Sequence, residues 1–196
     1  MSPHVLGLDP SLTGFGVARY TETQRIDTWV KGTDSLPKDA PILASSARIE
    51  VLYRWLFRSE ANLVNANTVL AIVEEPLKAT HGGAGLGKPI ERHWLFGRII
   101  DGFRLRDIPV AVINPTWVKM YIAGHGRADK GTVKRAVAAS WPGQGLGRIG
   151  DNEADAVTLA AMGADWLGWD GPWLDGRRGV DWLKKANWPE RESVRA

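Results

Sequence analysis

The stretch Gly7-Leu8-Asp9-Pro10-Ser11-Leu12-Thr13-Gly14-Phe15-Gly16-Val17-Ala18 decides the fold. Short apolar runs flank its centre, Val5 to Leu8 before and Phe15 to Ala18 after. Between them Pro10, Ser11, Thr13 and Gly14 are turn formers for different reasons: a fixed φ, side-chain hydrogen bonds to the backbone, and freedom at positive φ. The pattern predicts two antiparallel strands joined by a tight hairpin, with Asp9 ending the first. A carboxylate there is costly to bury unless a cation or a donor compensates it. Its chemistry therefore depends on which other acids it meets.

Outward from the hairpin, Arg25 to Val30 reads as a third strand, and a long helix is expected from about Asp39 to Asn62. Ile42, Ile49, Leu52, Tyr53, Leu56 and Leu63 recur there at helical spacing, with Arg48, Arg54 and Arg58 elsewhere around it. The unbroken apolar run Val69-Leu70-Ala71-Ile72-Val73 has the length and β-branching of a central strand covered on both faces. It ends in Glu74-Glu75-Pro76, a second acidic strand end. A glycine-rich loop, His81 to Lys88, leads to a helix over about Ile90–Arg106 and a fifth strand, Val110 to Ile113. Short helices follow over Thr116–Ile122 and Lys130–Ser140. A last helix opens at Gly150-Asp151-Asn152-Glu153-Ala154-Asp155 and runs to about Leu167. Asp151 and Asp155 share its face, and Ala154, Val157, Ala160, Ala161 and Ala164 let it lie close to a sheet. Three hairpin-linked strands followed by helix-linked ones make an α/β domain with a mixed five-stranded sheet, three strands antiparallel and two parallel.

The 196 residues fit one domain, 1–164, and an appendage, 165–196, which holds Trp166, Trp169, Trp173, Trp182 and Trp188 among glycines and charges. The absence of cysteine excludes disulfides and thiolate metal sites and suits a reducing cytosol. No run approaches the roughly 20 apolar residues of a membrane span, and no secretory signal opens the chain, so a cytoplasmic location is expected. The net charge is only +3. Between residues 119 and 135, however, Lys119, Arg127, Lys130, Lys134 and Arg135 face a single acid, Asp129, which points to a polyanionic partner.

Asp9 and Glu74 end strands that can be neighbours, and the Asp151/Asp155 stripe can dock beside them. Crowded carboxylates raise one another's pKa unless cations keep them ionised. Mg²⁺ accepts such oxygen ligands and completes its shell with substrate phosphate. Two such ions about 3.5–4 Å apart can drive phosphodiester hydrolysis. With a basic surface nearby, nucleic acid is the natural substrate.

The run from Gly7-Leu8-Asp9-Pro10 through Thr13-Gly14-Phe15-Gly16-Val17 resembles the first motif of RuvC-type Holliday junction resolvases, members of the RNase H-like superfamily. Ile72-Val73-Glu74-Glu75 is similar to their second motif, and Ala154-Asp155-Ala156 to their last. Val118-Lys119 and Gly124-His125-Gly126-Arg127-Ala128-Asp129-Lys130 resemble the family's basic segment. The resemblance spans roughly residues 4–163, with the four motifs in order. It implies an RNase H-like fold and a homodimeric endonuclease, dependent on two Mg²⁺ per site with Mn²⁺ as a substitute. Such an enzyme cuts branched DNA to 5′-phosphate and 3′-hydroxyl ends. On this chain Asp9 would bridge the two ions and Glu74 would hold the one beside the leaving oxygen. Asp155 with Asp151 would hold the ion that activates water. Glu75 and Asn152 are the alternative ligands. Lys130, Lys119, Arg127, Lys134 and His125 would contact DNA. A phage origin fits the small size and the tail.

Leu77 stands where the family carries an aromatic wedge, so flaps and forks join four-way junctions as expected substrates. A non-catalytic binder of branched DNA is the alternative function. A sugar-kinase-like phosphotransferase also opens with a strand, an Asp and a Gly/Thr turn, but it needs two related domains. Gly82 to Lys88 nearly spells a phosphate loop, yet Pro89 replaces the required Ser/Thr.

Overall fold

The fold is that of a computed structural model, which describes residues 2–37, 39–76, 89–171 and 186–194. The hairpin forms as expected: β1 (His4–Asp9) pairs antiparallel with β2 (Phe15–Thr21), with Asp9 opposite Gly16. A second turn, with Gln24 at φ 64°, leads to β3 (Ile26–Lys31). The sheet is completed by β4 (Thr68–Glu74) and β5 (Val110–Ile113), both parallel to β1, in the order β3-β2-β1-β4-β5. This is the expected mixed five-stranded RNase H-like arrangement, with β1 and β4 at its centre.

Strand alternation divides the core in two. Val5, Leu70, Ile72 and Ile113 face α3 (Pro115–Ala123), α4 (Lys130–Ser140) and α5 (Asp151–Leu167). Leu6, Leu8, Ala71 and Val73 face α1 (Ile42–Arg58) and α2 (Pro89–Arg104). Helix ends follow local chemistry. Asn114 caps α3 by accepting the Thr116 N–H, Pro115 occupies its first turn, and Gly124 closes it at φ 82°. Asp129 caps α4 through the Thr132 N–H. Gly150 caps α5, and the Glu153 carboxylate accepts its N–H at 2.8 Å.

α1 is shorter than the periodicity suggests. It starts after Pro41 and stops where Ser59 turns extended. Ile42, placed on its apolar stripe by spacing, is exposed, as is Leu43. Arg48, off the apolar stripe by spacing, is buried and paired with Glu91 of α2 at 3.7 Å.

α5 runs on to Leu167, through the expected boundary after residue 164. The described tail returns to the domain. Asn187 bridges to Val112 at the edge of β5, Trp188 stacks on Trp166 at 5.0 Å, and Arg191 lies over the Trp166 ring. Trp173 and Trp182 fall outside the described residues. So do Leu77, His81 and the Gly82–Lys88 loop.

Candidate active site

The parallel pairing of Leu8 with Val73 sets Asp9 and Glu74 side by side at the ends of the two central strands. Both acids continue the strand face that packs on α5, in step with Val5 and Gly7 on β1 and with Leu70 and Ile72 on β4. α5 can approach because β1 and β2 offer glycine there. Gly7 lies against the Ala156 carbonyl and the Ala160 backbone nitrogen, and Gly16 against the Asn152 backbone. A side chain at either position would hold the helix off the sheet. With Ala156 seated on Gly7, Asp155 beside it reaches the end of β1.

One pocket of about 410 Å³ gathers these groups. Asp9, Glu74, Glu75, Asp151, Asn152 and Asp155 line it together with Pro10, Ser11 and Thr13 of the hairpin. Lys119 of α3, Lys130 of α4 and Arg92 of α2 complete the wall. Burial raises the Asp9 carboxyl to about 7; Asp155 pushes it further up, while Lys130 and Arg92 oppose. Burial likewise lifts Glu74 well above the carboxylate range, reinforced by Asp9 and Asp155 and countered by Lys119. Asp155 rises to about 6, chiefly through burial, with Lys119 and Lys130 holding it down. No described residue donates a hydrogen bond to any of the three. Burial is the main cause of all three rises, with repulsion among the acids added at Asp9 and Glu74.

The remaining expected residues divide. Asp151 is drawn outward, 3.3 Å from Lys130 and 3.7 Å from Lys134. Asn152 spends its amide on the hairpin, donating to the Gly14 carbonyl. Glu75 donates its backbone N–H to Ile113 at 2.8 Å, and Asp9 and Asp155 act on Glu74 beside it. His125 and Arg127 lie exposed on the connection between α3 and α4, outside the described pocket lining. Arg92 has no motif to announce it; its only signal is a cation in the first turn of a helix after a glycine-rich loop.

The donor set suits a hard divalent cation. All three central groups are carboxylates, half-buried, and unsatisfied by described donors. Among the described residues no three Asp, Glu or His side chains close on one point as a ready-made cage. Mg²⁺ does not require one, because it is held by one or two carboxylates plus phosphate oxygens and water.

No protein-family model matches the chain. The crossover junction endodeoxyribonuclease RuvC of Granulibacter bethesdensis is 33% identical over 160 residues, covering 80% of this chain and 82% of that protein. The chain belongs to the RuvC family. A second RuvC, from Endomicrobium trichonymphae, is 26% identical over 170 residues, or 85% of this chain and 83% of that one. Thermus thermophilus RuvC has a similar fold, with a TM-score of 0.60 at 21% identity over 86% of this chain and 98% of that one. It has also been solved in complex with Holliday junction substrate, and that structure aligns with a TM-score of 0.59 at 21% identity over 84% of this chain and 94% of that one. RuvC membership thus rests on relatives that share most of their length with this chain. Among the described residues no helix is long and apolar enough to cross a membrane.

Proposed function

We propose that this RuvC-family chain is a divalent-metal-dependent endonuclease that resolves four-way DNA junctions by phosphodiester hydrolysis. The observation that carries the reading is the meeting of Asp9, Glu74 and Asp155, from β1, β4 and α5, in a pocket walled by Lys119 and Lys130. Asp9, Glu74 and Asp155, with Asp151 at the rim, would hold two Mg²⁺ or Mn²⁺ ions. When bound, such a pair supplies an activated water and charge stabilisation at the leaving oxygen of an in-line displacement. Asp151 is preferred to Asn152 as the fourth ligand because the Asn152 amide is committed to Gly14. Glu74 is preferred to Glu75 because Glu74 shares its surroundings with Asp9 and Asp155.

Lys119 and Lys130 hold phosphates of the cut strand against the carboxylates. Lys134, Arg127 and His125 carry the path of the DNA along α3 and α4. The phosphodiester bond breaks between phosphorus and the 3′-oxygen, so the products carry 5′-phosphate and 3′-hydroxyl. Two copies acting as a dimer would cut the paired strands of a junction.

The relatives are named for cutting crossover junctions, and a Thermus thermophilus RuvC structure holds Holliday junction substrate. Both support branched DNA as the partner here. Leu77, a smaller residue than an aromatic wedge, favours some cutting of flaps and forks as well.

The test is cleavage of synthetic four-way junctions, flaps, forks and linear duplex with Mg²⁺, by the wild type and by Asp9→Asn and Asp155→Asn. The wild type is expected to cut junctions foremost, while the variants bind but do not cut. Cutting by both variants at the wild-type rate would remove the carboxylate site from the mechanism. Salt-sensitive binding without cleavage by any form would leave a branched-DNA binder.

A further inference from the structure

The carboxylate pocket takes its cations from both layers that cover the sheet. Lys119 and Lys130 come from α3 and α4, and Arg92 comes from the first turn of α2 on the other face. The Arg92 charge reaches Asp9. Among the described residues Arg92 donates no hydrogen bond and pairs with no acid. Lys130, by comparison, is engaged with Asp151.

The residue before it is fixed. Glu91 is buried between α1 and α2, where it accepts a hydrogen bond from Ser45 and pairs with Arg48 at 3.7 Å. Arg48 is itself held by Thr33 in the segment after β3, through Nε at 2.5 Å and Nη2 at 3.4 Å. A buried ion pair adds little net stability after its desolvation. What this one does is lock the first turn of α2 to α1 and so fix where residue 92 starts from.

We propose that Arg92 is a phosphate-binding residue that grips the DNA backbone next to the cut, on the side opposite Lys119 and Lys130, with the Glu91–Arg48 pair as its anchor. The inference rests on the nuclease reading above. A guanidinium presents a planar fork that matches two phosphate oxygens, which an ammonium does not. A strand crossing the ends of β1 and β4 from the α3–α4 side meets Arg92 as it leaves the carboxylates. The competing role is charge balance at Asp9, which would need a cation but no fork and no contact with DNA.

The experiment uses the full chain and four-way junctions in which single phosphates around the cut are replaced, one at a time, by neutral methylphosphonate. Single-turnover cleavage is compared for the wild type, Arg92→Ala and Arg92→Lys, and binding is followed against salt in Ca²⁺. Arg92→Ala is expected to cut the all-phosphate junction about ten- to a hundredfold more slowly, the ordinary worth of a hydrogen bond to a charged group. Arg92→Lys should recover only part of this. One methylphosphonate position should cost the wild type the same factor and cost Arg92→Ala nothing more. The salt slope of Arg92→Ala should fall by about one.

Wild-type cutting by Arg92→Ala, or losses that multiply at every methylphosphonate position, would overturn the inference. So would full recovery by Arg92→Lys. If the wild type binds but never cuts, the nuclease reading fails separately. An unchanged salt slope in Arg92→Ala would then overturn the phosphate contact on its own.

Discussion

Gly7 of β1 and Ala156 of α5 meet backbone to backbone, with no room for a single added carbon between them. The contact is what lets Asp155 stand beside Asp9. Gly7→Ala must push α5 off the sheet, and overpacking of this kind costs about 1–3 kcal/mol or more. Denaturant unfolding should show that loss, and junction cleavage should fall with it. Gly97, inside α2, has no described atom beyond its chain neighbours and its own helix backbone within 4 Å of the point that an added methyl carbon would occupy. Gly97→Ala should instead stabilise by about 0.5–1 kcal/mol, from helix propensity alone.

The raised pKa of Asp9 makes it a destabilising charge at neutral pH. Below its unfolded value near 3.8 the group is neutral in both states and contributes nothing. Between there and about 7 the unfolded chain ionises first, so the native state binds more protons and stability falls as pH rises. Asp9→Asn removes that penalty. Without divalent ions, the variant should match the wild type near pH 4 and become progressively more stable than it up to pH 7. The difference is the quantity to read, because buried His4, lowered to about 4, acts in the opposite sense over the same range. Equal pH profiles for the two proteins would show that Asp9 is not buried among carboxylates.

Divalent ions should reverse the same penalty. Added Mg²⁺ or Mn²⁺ is expected to raise the thermal midpoint of the wild type, more strongly at pH 8 than at pH 6, because binding must displace protons from Asp9 and Asp155. EDTA should undo the gain. Asp9→Asn and Asp155→Asn should respond far less in the same melting experiment.

Asn152→Asp separates scaffold from ligand. The change leaves a carboxylate facing the Gly14 carbonyl where an amide donated. A loss of about 1–3 kcal/mol in stability is expected from the unpaired acceptor, measured by denaturation. Asp151→Asn should barely alter stability, since its lysine partners are largely exposed; its effect should appear in cleavage.

The α1–α2 lock predicts an asymmetry. Arg48→Met removes the guanidinium paired with buried Glu91, a change that typically costs about 3–5 kcal/mol. The double variant Arg48→Met, Glu91→Leu should regain most of that in denaturant unfolding, because it leaves no buried charge behind.

The sheet was legible because alternation and turn chemistry are local. Pro10 to Gly14 fixed the hairpin, and the apolar run before Glu74 marked a central strand. The small residues Ala154, Ala160, Ala161 and Ala164 marked a helix able to lie close. Pair chemistry across the chain left no such trace. Arg48 reads only as a residue off the apolar stripe until Glu91 is folded against it, and Ile42 reads as part of that stripe although Pro41 starts the helix where that turn faces water. The acids at the strand ends could be named from sequence, since each terminates an apolar run. Arg92 could not, because nothing in the spacing of α2 distinguishes it from a solvated arginine.

The bridge from Asn187 to Val112, with Trp188 lying flat on Trp166, has a bearing beyond architecture. It works as a hem, closing a margin of β5 that would otherwise offer its backbone to any passing strand. A chain cut back before residue 186 would keep every acid of the pocket but bare that margin and an indole face together. Poor solubility, rather than slow chemistry, is the defect such a shortened protein would show first.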